Sequence, residues 1–301
     1  MQSAASYKLI KKIKDDRFDE EQLHQYQLIV QFGVRDFQAA VVEAGENRVL
    51  FFEDYVLNEL SSYAEQLEVI KQLFDSHPVL GAGFWNSVLV SIKNNKFVQV
   101  PAALFQPAAA PEYLRFNAVV APREEQVLFT QHPGQEVVTV FAAQIPLVTW
   151  LQGLYQNSKL RITHQSTALI EGVAAYAHTR AQGHPLYIYV DRFKLHILSV
   201  KDGKLAYYNQ FPIKQFADYV KYIMLVLHAL DMDQKTSRVV LWGYIGKNSP
   251  HYQEFYKYIQ NVTFGERPAN VRFGYLFDEI QEHHFFDLFS LPLLLAEAAA
   301  E

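Results

Sequence analysis

The chain has no cysteine among its 301 residues, which excludes disulfide bonds, zinc sites built from thiolates, and cysteine nucleophiles. Basic residues are not in excess either, because 27 Lys and Arg stand against 32 Asp and Glu, for a formal net charge of −5. This balance provides no broad positive surface, so we expect no nucleic-acid partner. The lack of cysteine also fits a reducing compartment, and we expect a cytoplasmic protein.

Long apolar runs are missing as well. No stretch approaches the roughly 20 apolar residues of a membrane-spanning helix, and residues 1–16 lack the apolar segment of a secretory signal peptide. The sequence contains no His-Glu-x-x-His, no Gly-x-Ser-x-Gly and no phosphate-binding loop ending in Gly-Lys. We therefore expect no membrane span and none of the enzyme types that these motifs mark.

The sequence does contain enough apolar material for a large core. Half of its residues are hydrophobic, including 22 Phe and 18 Tyr, which suits two modest domains or one large one. Two segments, residues 28–57 and 186–211, each predict three successive strands. A short polar turn joins the first two strands of each segment: Gly33-Val34-Arg35-Asp36 in one and Asp191-Arg192-Phe193-Lys194 in the other.

The order of predicted elements extends this duplication to the two halves of the chain. Three strands, a helix, a strand, a helix, a strand and a helix are typical of the ribonuclease-H-like fold, and two facing copies make the actin-like ATPase architecture. We predict an α/β protein with this duplicated fold, in which mixed five-stranded sheets are flanked by helices and a small subdomain is inserted in the first half. The predicted divisions are a loose polar lead-in at 1–25, a first lobe at 26–183 with the insertion at 57–145, and a second lobe at 184–301.

Three phrases connect the chain to known proteins: residues 96–105 (KFVQVPAALF), residues 166–172 (STALIEG), and residues 209–211 (NQF) followed by 218–223 (DYVKYI). On these phrases the chain resembles a Bacteroidetes family of unknown function with an actin-like ATPase fold, over nearly the whole length after residue 20. More distantly, its layout is similar to that of the bacterial division actin and the pilus-assembly actin-like protein. Those relatives act as membrane-associated scaffolds through partner proteins, so the resemblance implies a scaffold.

The resemblance also implies where a nucleotide would bind. An actin-like ATPase holds phosphate with two hairpin turns, in which a carboxylate orders magnesium and a glycine lets backbone N–H groups approach the phosphate. Here the first turn keeps Gly33 but has Gln31 where the acidic residue is expected. The second turn keeps Asp191, but Arg192 and the bulky residues after it replace the glycine. In place of a Gly-Gly pair that would receive adenosine, the chain has two separated glycines, Gly243 and Gly246.

Five residues are the candidates for binding a nucleotide cofactor: Gly33, Asp36, Asp191, Lys194 and Gly243. The simpler interpretation is that they are ordinary turn residues, because Gly and Asp tolerate tight turns. The altered motifs then predict a protein with no cofactor, catalytic residue or metal ligand, which serves as a cytoplasmic scaffold for an unidentified protein partner. Peripheral membrane association through that partner is compatible with this prediction. The alternative is an ATPase or small-molecule kinase that binds ATP with magnesium at an atypical site between the lobes.

Two features near the C-terminus carry further alternatives. Residues 282–284 (Glu-His-His), close to Asp278 and Asp287, form the densest histidine group in the sequence. Because adjacent histidines point to different faces, we expect a surface or interface cluster and no zinc site. Residues 285–295 predict an apolar helix that either completes the core or docks a partner, and core packing is favoured because a final helix commonly completes this fold.

Overall fold

The larger of two mixed β-sheets has seven strands in the computed structural model of the chain, which describes residues 6–58, 60–180 and 183–297. Numbered along the whole chain, these strands are β1 (Tyr7–Lys14), β2 (Tyr26–Phe32), β3 (Asp36–Glu43), β4 (Arg48–Leu57), β5 (Ser87–Ile92), β9 (Lys159–His164) and β15 (Arg272–Phe273). Six lie in the order β1-β4-β3-β2-β5-β9, and β15 pairs with β4 beside this path.

The second sheet has five strands and repeats the central part of the first. Its strands are β10 (Leu186–Val190), β11 (Lys194–Lys201), β12 (Lys204–Pro212), β13 (Val239–Gly243) and β14 (Val262–Phe264). Their order, β12-β11-β10-β13-β14, matches β4-β3-β2-β5-β9, with three antiparallel strands followed by two parallel ones. The prediction of a duplicated ribonuclease-H-like fold with mixed sheets is confirmed, although the first sheet has seven strands and not the predicted five, because β1 and β15 add to it at β4.

Helices cover the faces of both sheets. They are α1 (Tyr63–Ser76), α2 (Ala110–Arg115), α3 (Ile145–Leu154), α4 (Gln165–Arg180), α5 (Phe216–Ala229), α6 (Pro250–Tyr256), α7 (Phe286–Ser290) and α8 (Leu293–Glu297), with short 3-10 turns at Glu20–Gln25, Ala102–Leu104, Pro107–Ala109, Pro133–Gln135 and Tyr275–Glu279. The predicted lobe boundary at 183/184 follows α4 directly, beside residues 181–182, which lie outside the described residues.

A separate three-stranded sheet forms the inserted subdomain between β5 and β9. Its strands are β6 (Phe97–Pro101), β7 (Glu125–His132) and β8 (Val137–Gln144), in the order β6-β8-β7, and α2 packs on one face. The predicted insertion at 57–145 is too wide at its start. Helix α1 belongs to the first sheet instead, because its apolar positions Leu67, Ile70 and Leu73 are buried in that sheet's core.

The segment predicted as a loose lead-in contributes a strand to the first sheet. Strand β1 pairs antiparallel with β4, so the prediction for residues 1–25 is wrong at 7–14. Most of its side chains are exposed, because β1 lies at the edge of the sheet and is held mainly through its backbone. A charged edge strand has the same polar composition as a solvated tail, so composition alone did not distinguish β1 from the predicted lead-in.

The C-terminal apolar segment lies between the two sheets. The ring of Phe286 stacks on Trp242 of β13 with centroids 4.3 Å apart, and Phe285 packs against Phe52 of β4 at 4.6 Å. Core packing is thus confirmed, although the segment serves the first sheet as well as the second. It forms α7 and α8 and not one helix, since Pro292 between them has no backbone N–H to continue the helix.

Across the described ranges, none of the helices has the length and apolar character needed to cross a membrane.

Candidate functional site

The two short polar turns have the same backbone geometry and lie at equivalent corners of the two sheets. The N–H of Gly33 donates to the carbonyl of Asp36 at 2.9 Å, and the N–H of Asp191 donates to the carbonyl of Lys194 at 2.9 Å. The flanking strand residues pair in the same register on both hairpins. Gly33 is therefore the structural equivalent of Asp191, and Asp36 is the equivalent of Lys194.

This equivalence changes the alignment of the two turns. Gln31 lies two residues before Gly33, so its counterpart in the second hairpin is Tyr189, two residues before Asp191. From the sequence, Asp191 is the residue of the second turn that corresponds to Gln31. The strand register shows instead that Tyr189 corresponds to Gln31. Both equivalent positions thus carry a neutral hydrogen-bond donor, at the place where the resemblance leads us to expect an acidic residue.

Both donors bind one carboxylate, that of Asp287 in α7. Gln31 Nε2 donates to Asp287 Oδ2 at 2.6 Å, and the Tyr189 hydroxyl donates to Oδ1 at 2.5 Å. Gln165 at the start of α4 adds a third bond to Oδ2 at 2.7 Å. Burial raises the pKa of Asp287 above its usual value, against the opposing influence of Lys93. Helix α7 is therefore hydrogen-bonded to β2 of the first sheet and to β10 of the second.

Lys93, which directly follows β5, bridges the two turns. Its Nζ lies 2.6 Å from Asp36 Oδ2 and 3.0 Å from Asp191 Oδ1, and the three side chains are 4–5 % exposed. Burial acts to lower the pKa of Lys93, but the carboxylates of Asp191, Asp36 and Asp287 outweigh it and hold this pKa above its usual value. Burial likewise acts to raise the pKa of Asp191, yet Lys93 holds it well below its usual range. One ammonium group thus binds both turn carboxylates.

A second bridge runs in the opposite direction, from Arg192 of the second turn. Its guanidinium donates to Asp54 of β4 at 2.5 Å, approaches Asp36 at 3.5 Å, and lies 4.6 Å from the centre of the Tyr244 ring. Gln38 completes this group by donating to Asp54 at 3.1 Å and to the Tyr244 hydroxyl at 2.7 Å. Lys93 of the first half therefore reaches Asp191 of the second, and Arg192 of the second half reaches Asp36 and Asp54 of the first.

A cavity of about 320 Å³ remains beside these bridges, at the lower end of the range of ~300–1,000 Å³ typical of small-molecule sites. Four of the five candidate residues from the sequence line it: Gly33, Asp36, Asp191 and Lys194. Its other lining residues are Val34, Arg35, Lys93 and Phe193. The structure thus brings these four candidates together around one space.

The fifth candidate, Gly243, is not among the lining residues of this cavity. Its φ is +96°, and a Cβ at this position would lie 2.0 Å from the carbonyl oxygen of Val190. The glycine lets β13 end close against β10, where the next residue, Tyr244, donates its N–H to the same carbonyl at 2.7 Å. Its position therefore has a structural explanation in the packing of the second sheet.

Sequence reasoning did not identify Lys93, Asp54, Gln165 or Asp287 as members of this network. One signal becomes visible once the strand register is known. A row of polar residues crosses the first sheet at one level, with one residue on each of five neighbouring strands: Asp54, Gln38, Gln31, Ser91 and Thr163. All five are almost completely buried, which is unusual without a polar partner above the sheet.

A buried histidine near the second turn gives the protein an expected acid sensitivity. His196 of β11 lies 2.8 Å from the Tyr208 hydroxyl through Nδ1, and burial lowers its pKa to about 3. Between pH ~6.5 and that value, the unfolded chain binds a proton that the folded chain does not, so stability falls as the pH falls. We expect His196→Asn to reduce this loss by up to about 1.4 kcal/mol per pH unit.

Urea unfolding at pH 6.5, 5.5 and 4.5 measures this difference. A His24→Asn variant, at an exposed position, controls for the loss of any histidine. Parallel stability curves for the wild type and His196→Asn would contradict the prediction.

The C-terminal histidines are placed differently from the expectation. His283 is buried, with Nε2 2.7 Å from the carbonyl oxygen of Ile245, so the prediction of a surface or interface cluster is wrong for this residue. Among residues 6–58, 60–180 and 183–297, no group of three or more His, Asp or Glu side chains is arranged to hold a metal ion.

Comparison with known proteins identifies both a family and a fold. Residues 15–262 match the model of the family described as "Protein of unknown function (DUF3822)". A search of curated proteins gave no match. A crystal structure of a Bacteroides thetaiotaomicron protein of unknown function with an actin-like ATPase fold is 20 % identical, with a TM-score of 0.75, covering 91 % of this chain and 98 % of that one.

A second solved structure, the PilM–PilN type IV pilus biogenesis complex, is 12 % identical, with a TM-score of 0.61, covering 91 % of this chain and 98 % of that one. At these identities the two likenesses establish the actin-like ATPase fold alone. The resemblance drawn from the sequence is confirmed to that extent.

Proposed function

The chain belongs to the DUF3822 family of proteins of unknown function, and we propose that it is a scaffold whose two lobes are held together by its own side chains and not by a nucleotide. On this proposal it has no competent ATPase site, needs neither ATP nor magnesium, and acts in the cytoplasm by holding a protein partner. Membrane association, where it occurs, runs through that partner.

The observation that carries the proposal is the bridge from Lys93 to Asp36 and Asp191. A magnesium ion needs carboxylate or phosphate oxygens that no other cation occupies. In these turns both carboxylates are bound to one buried ammonium group. To free them, Lys93 would have to move and remain buried without its partners, which costs several kcal/mol. The residues present therefore do not fit ATP with magnesium.

The second turn adds an electrostatic argument. Arg192 extends from this turn to Asp54 and the face of Tyr244, so its guanidinium is already bound to an acidic side chain. A phosphate in the cavity between the turns would lie beside Asp36, whose negative charge repels it. The cations and carboxylates instead satisfy one another.

The proposal that this protein holds a protein partner is supported by a solved structure of the same fold. The solved structure with a TM-score of 0.61 to this chain is a complex of PilM with PilN. A protein of this fold is therefore found bound to a protein partner. Internal ion pairs that hold the two lobes together give the protein a constant shape, and a scaffold requires a constant shape. Partner binding is therefore proposed to be independent of ATP.

Titration of the purified protein with ATP and magnesium tests the proposal. We expect no saturable heat up to about 2 mM nucleotide and no change in the midpoint of urea unfolding. A site with a dissociation constant one hundredth of that concentration would instead stabilise the protein by about 2.7 kcal/mol. Partner capture from lysate with and without ATP should give equal yields, and release of the partner by ATP would count against the scaffold.

One observation favours a second candidate, an ATPase or small-molecule kinase with an atypical phosphate site. The cavity lined by Gly33, Asp191 and Lys194 is large enough for a small ligand and lies between the two turns. Saturable ATP binding with turnover, both lost in Asp191→Ala, would support this candidate and overturn the scaffold proposal. Binding or turnover that survives in Asp191→Ala would exclude that residue from the site.

A further inference from the structure

The inserted subdomain exposes a long segment that is almost free of charge. Residues 101–122 include only two charged residues, Glu112 and Arg115, and only Ala110 and Leu114 of the segment are buried. The side chains of Glu112 and Arg115 pair with each other at 2.9 Å, one helical turn apart on α2. The segment therefore presents a surface without net charge on a chain whose formal net charge is −5.

The large apolar side chains that the subdomain exposes lie around α2, and we call them the apolar face. They are Leu104, Phe116, Val119 and Phe129, which are 67 %, 81 %, 88 % and 40 % exposed. The ring of Phe105 connects them, because it lies 4.9 Å from that of Phe129 and 5.9 Å from that of Tyr113 on α2. Since a whole aromatic side chain has roughly 150–250 Å² of surface, Phe116 and Phe129 alone expose about 200–300 Å². The apolar face thus reaches the size of the largest apolar patch on a typical monomer, roughly 300–600 Å², which often marks an interface.

A groove of about 470 Å³ opens beside Phe116. Phe116 is the residue at which α2 ends, and its neighbours along the chain, Arg115 on one side and Ala118 and Val119 on the other, line the groove. Phe116 itself is 81 % exposed and is not among the lining residues, so its ring projects next to the groove and does not fill it. The apolar face therefore combines a projecting aromatic ring with a groove large enough to accept one.

The charges along this groove are already neutralised within the chain. Glu112 pairs with Arg115, and Glu125 binds Lys96 at 2.7 Å. A second copy of the chain therefore meets no unpaired like charge here, whereas the rest of its surface carries the net charge of −5 and repels an identical molecule. Because the ring and the groove lie on the same face, a two-fold axis places each ring against the groove of the other copy. Such a contact closes on itself as a dimer.

We propose that the apolar face is a contact between two copies of this chain, in which Phe116 of each copy inserts into the groove of the other beside Val119. The face is smaller than the ~800 Å² that each partner buries in a stable interface, so the dimer is weak and reversible. We expect a dissociation constant on the order of 10–100 μM. This contact goes beyond the scaffold proposal and does not depend on it, because neither a nucleotide nor another protein takes part.

Sedimentation equilibrium of the full chain, from about 5 to about 500 μM, tests the contact. The wild type should change from monomer to dimer over this range, and Phe116→Asp should weaken the dimer at least about tenfold, because it places a charge in an apolar groove. Phe84→Asp is the matched control: Phe84 is 67 % exposed and precedes β5, whereas the subdomain follows β5. This control should dimerise as the wild type does. Both variants change exposed side chains and should unfold at the same urea concentration as the wild type.

A mixture of two variants tests whether the ring meets the groove. Val119→Lys places a charge in the groove and should prevent dimerisation, as Phe116→Asp does. In a dimer of one variant with the other, one contact joins the two introduced charges, which are opposite, and the second contact keeps Phe116 and Val119. The mixture should therefore dimerise although neither variant does so alone.

Several results would overturn the proposal. They are a wild type that stays monomeric at about 500 μM, a dimer that persists in Phe116→Asp, and a mixture of the two variants that stays monomeric. A monomer that binds uncharged phosphatidylcholine vesicles through Phe116 would assign the apolar face to a membrane surface instead. A dimer that dissociates between about 0.1 and 1 M NaCl would also contradict the assignment, because salt screens contacts between charges and not an apolar contact.

Discussion

Replacing Lys93 with methionine is expected to lower the free energy of unfolding by about 3–5 kcal/mol, the cost of leaving buried charges without their partner. The change preserves much of the apolar length of the side chain and removes the ammonium group from between Asp36 and Asp191, which are 4–5 % exposed. Urea unfolding at pH 7 measures the loss. A change below about 1 kcal/mol would show that the bridge is not what holds the turns together.

A surface lysine provides the matched control. Lys71 pairs with Glu68 one helical turn away at 2.7 Å, and both side chains are at least one-third exposed. Because exposed ion pairs contribute little, Lys71→Met should cost no more than about 0.5 kcal/mol. Addition of Asp36→Asn to Lys93→Met should recover part of the loss, since one of the two unpaired charges is then gone.

The pH dependence gives an independent check on the same bridge. The folded-state pKa of Asp191 is depressed, so its contribution is present above the unfolded value of ~3.9 and is lost as the pH falls. Lys93→Met removes that contribution. The gap in stability between the wild type and the variant should therefore stay constant from pH 7 to about pH 4 and narrow as the pH falls below that value, whereas a gap that stays constant down to about pH 2.5 would assign the loss to packing alone.

Gly243→Ala is expected to have a comparable effect, about 4 kcal/mol, without any change of charge. The added methyl group would lie 2.0 Å from the Val190 carbonyl oxygen, and the residue would be held at φ +96°. Backbone strain contributes roughly 1–3 kcal/mol and overpacking a similar amount. The free energy of unfolding is again the measurement.

A variant at Gly203 separates the backbone strain from the overpacking. It has a φ of +77°, but a Cβ there would find no atom within 4 Å. Gly203→Ala should therefore show the backbone strain alone, roughly 1–3 kcal/mol. Equal losses in the two variants would mean that the contact with Val190 adds nothing.

Local sequence patterns were sufficient for most of the fold. The pattern of residues 87–92 predicts a strand with the bounds that β5 has, and Ser61 or Ser62 is the predicted cap of the helix that follows these two serines. The structure uses Ser62, which accepts a hydrogen bond from the Glu65 N–H at 3.2 Å. The errors fall on elements with weak or misleading periodicity. Strand β14 has three residues, too few for a pattern to show, and β1 is a charged edge strand. The apolar and aromatic residues of segment 271–275 predict a strand, but β15 has only two residues because a 3-10 turn follows.

The candidate site was predictable only in part. The two turns were found, since glycine and aspartate mark a turn wherever it lies in the chain. Their alignment with each other was wrong, because equivalence between the two hairpins depends on strand register and not on residue type. The sequence identifies Gln31 as standing where the resemblance implies an acidic residue. It does not identify Tyr189 as the equivalent of Gln31, because that equivalence requires the strand register.

The sequence by itself determined the duplicated order of strands and helices and the lack of cysteine chemistry. These follow from composition and from short-range periodicity. Only the tertiary structure decided which side chains bind the residues in and beside the two turns, because the partners are far apart in the chain: Lys93 is 57 residues from Asp36 and 98 from Asp191, and Gln31 is 256 from Asp287. Buried charges are stable only beside such partners, and no local pattern records which residues the fold brings together.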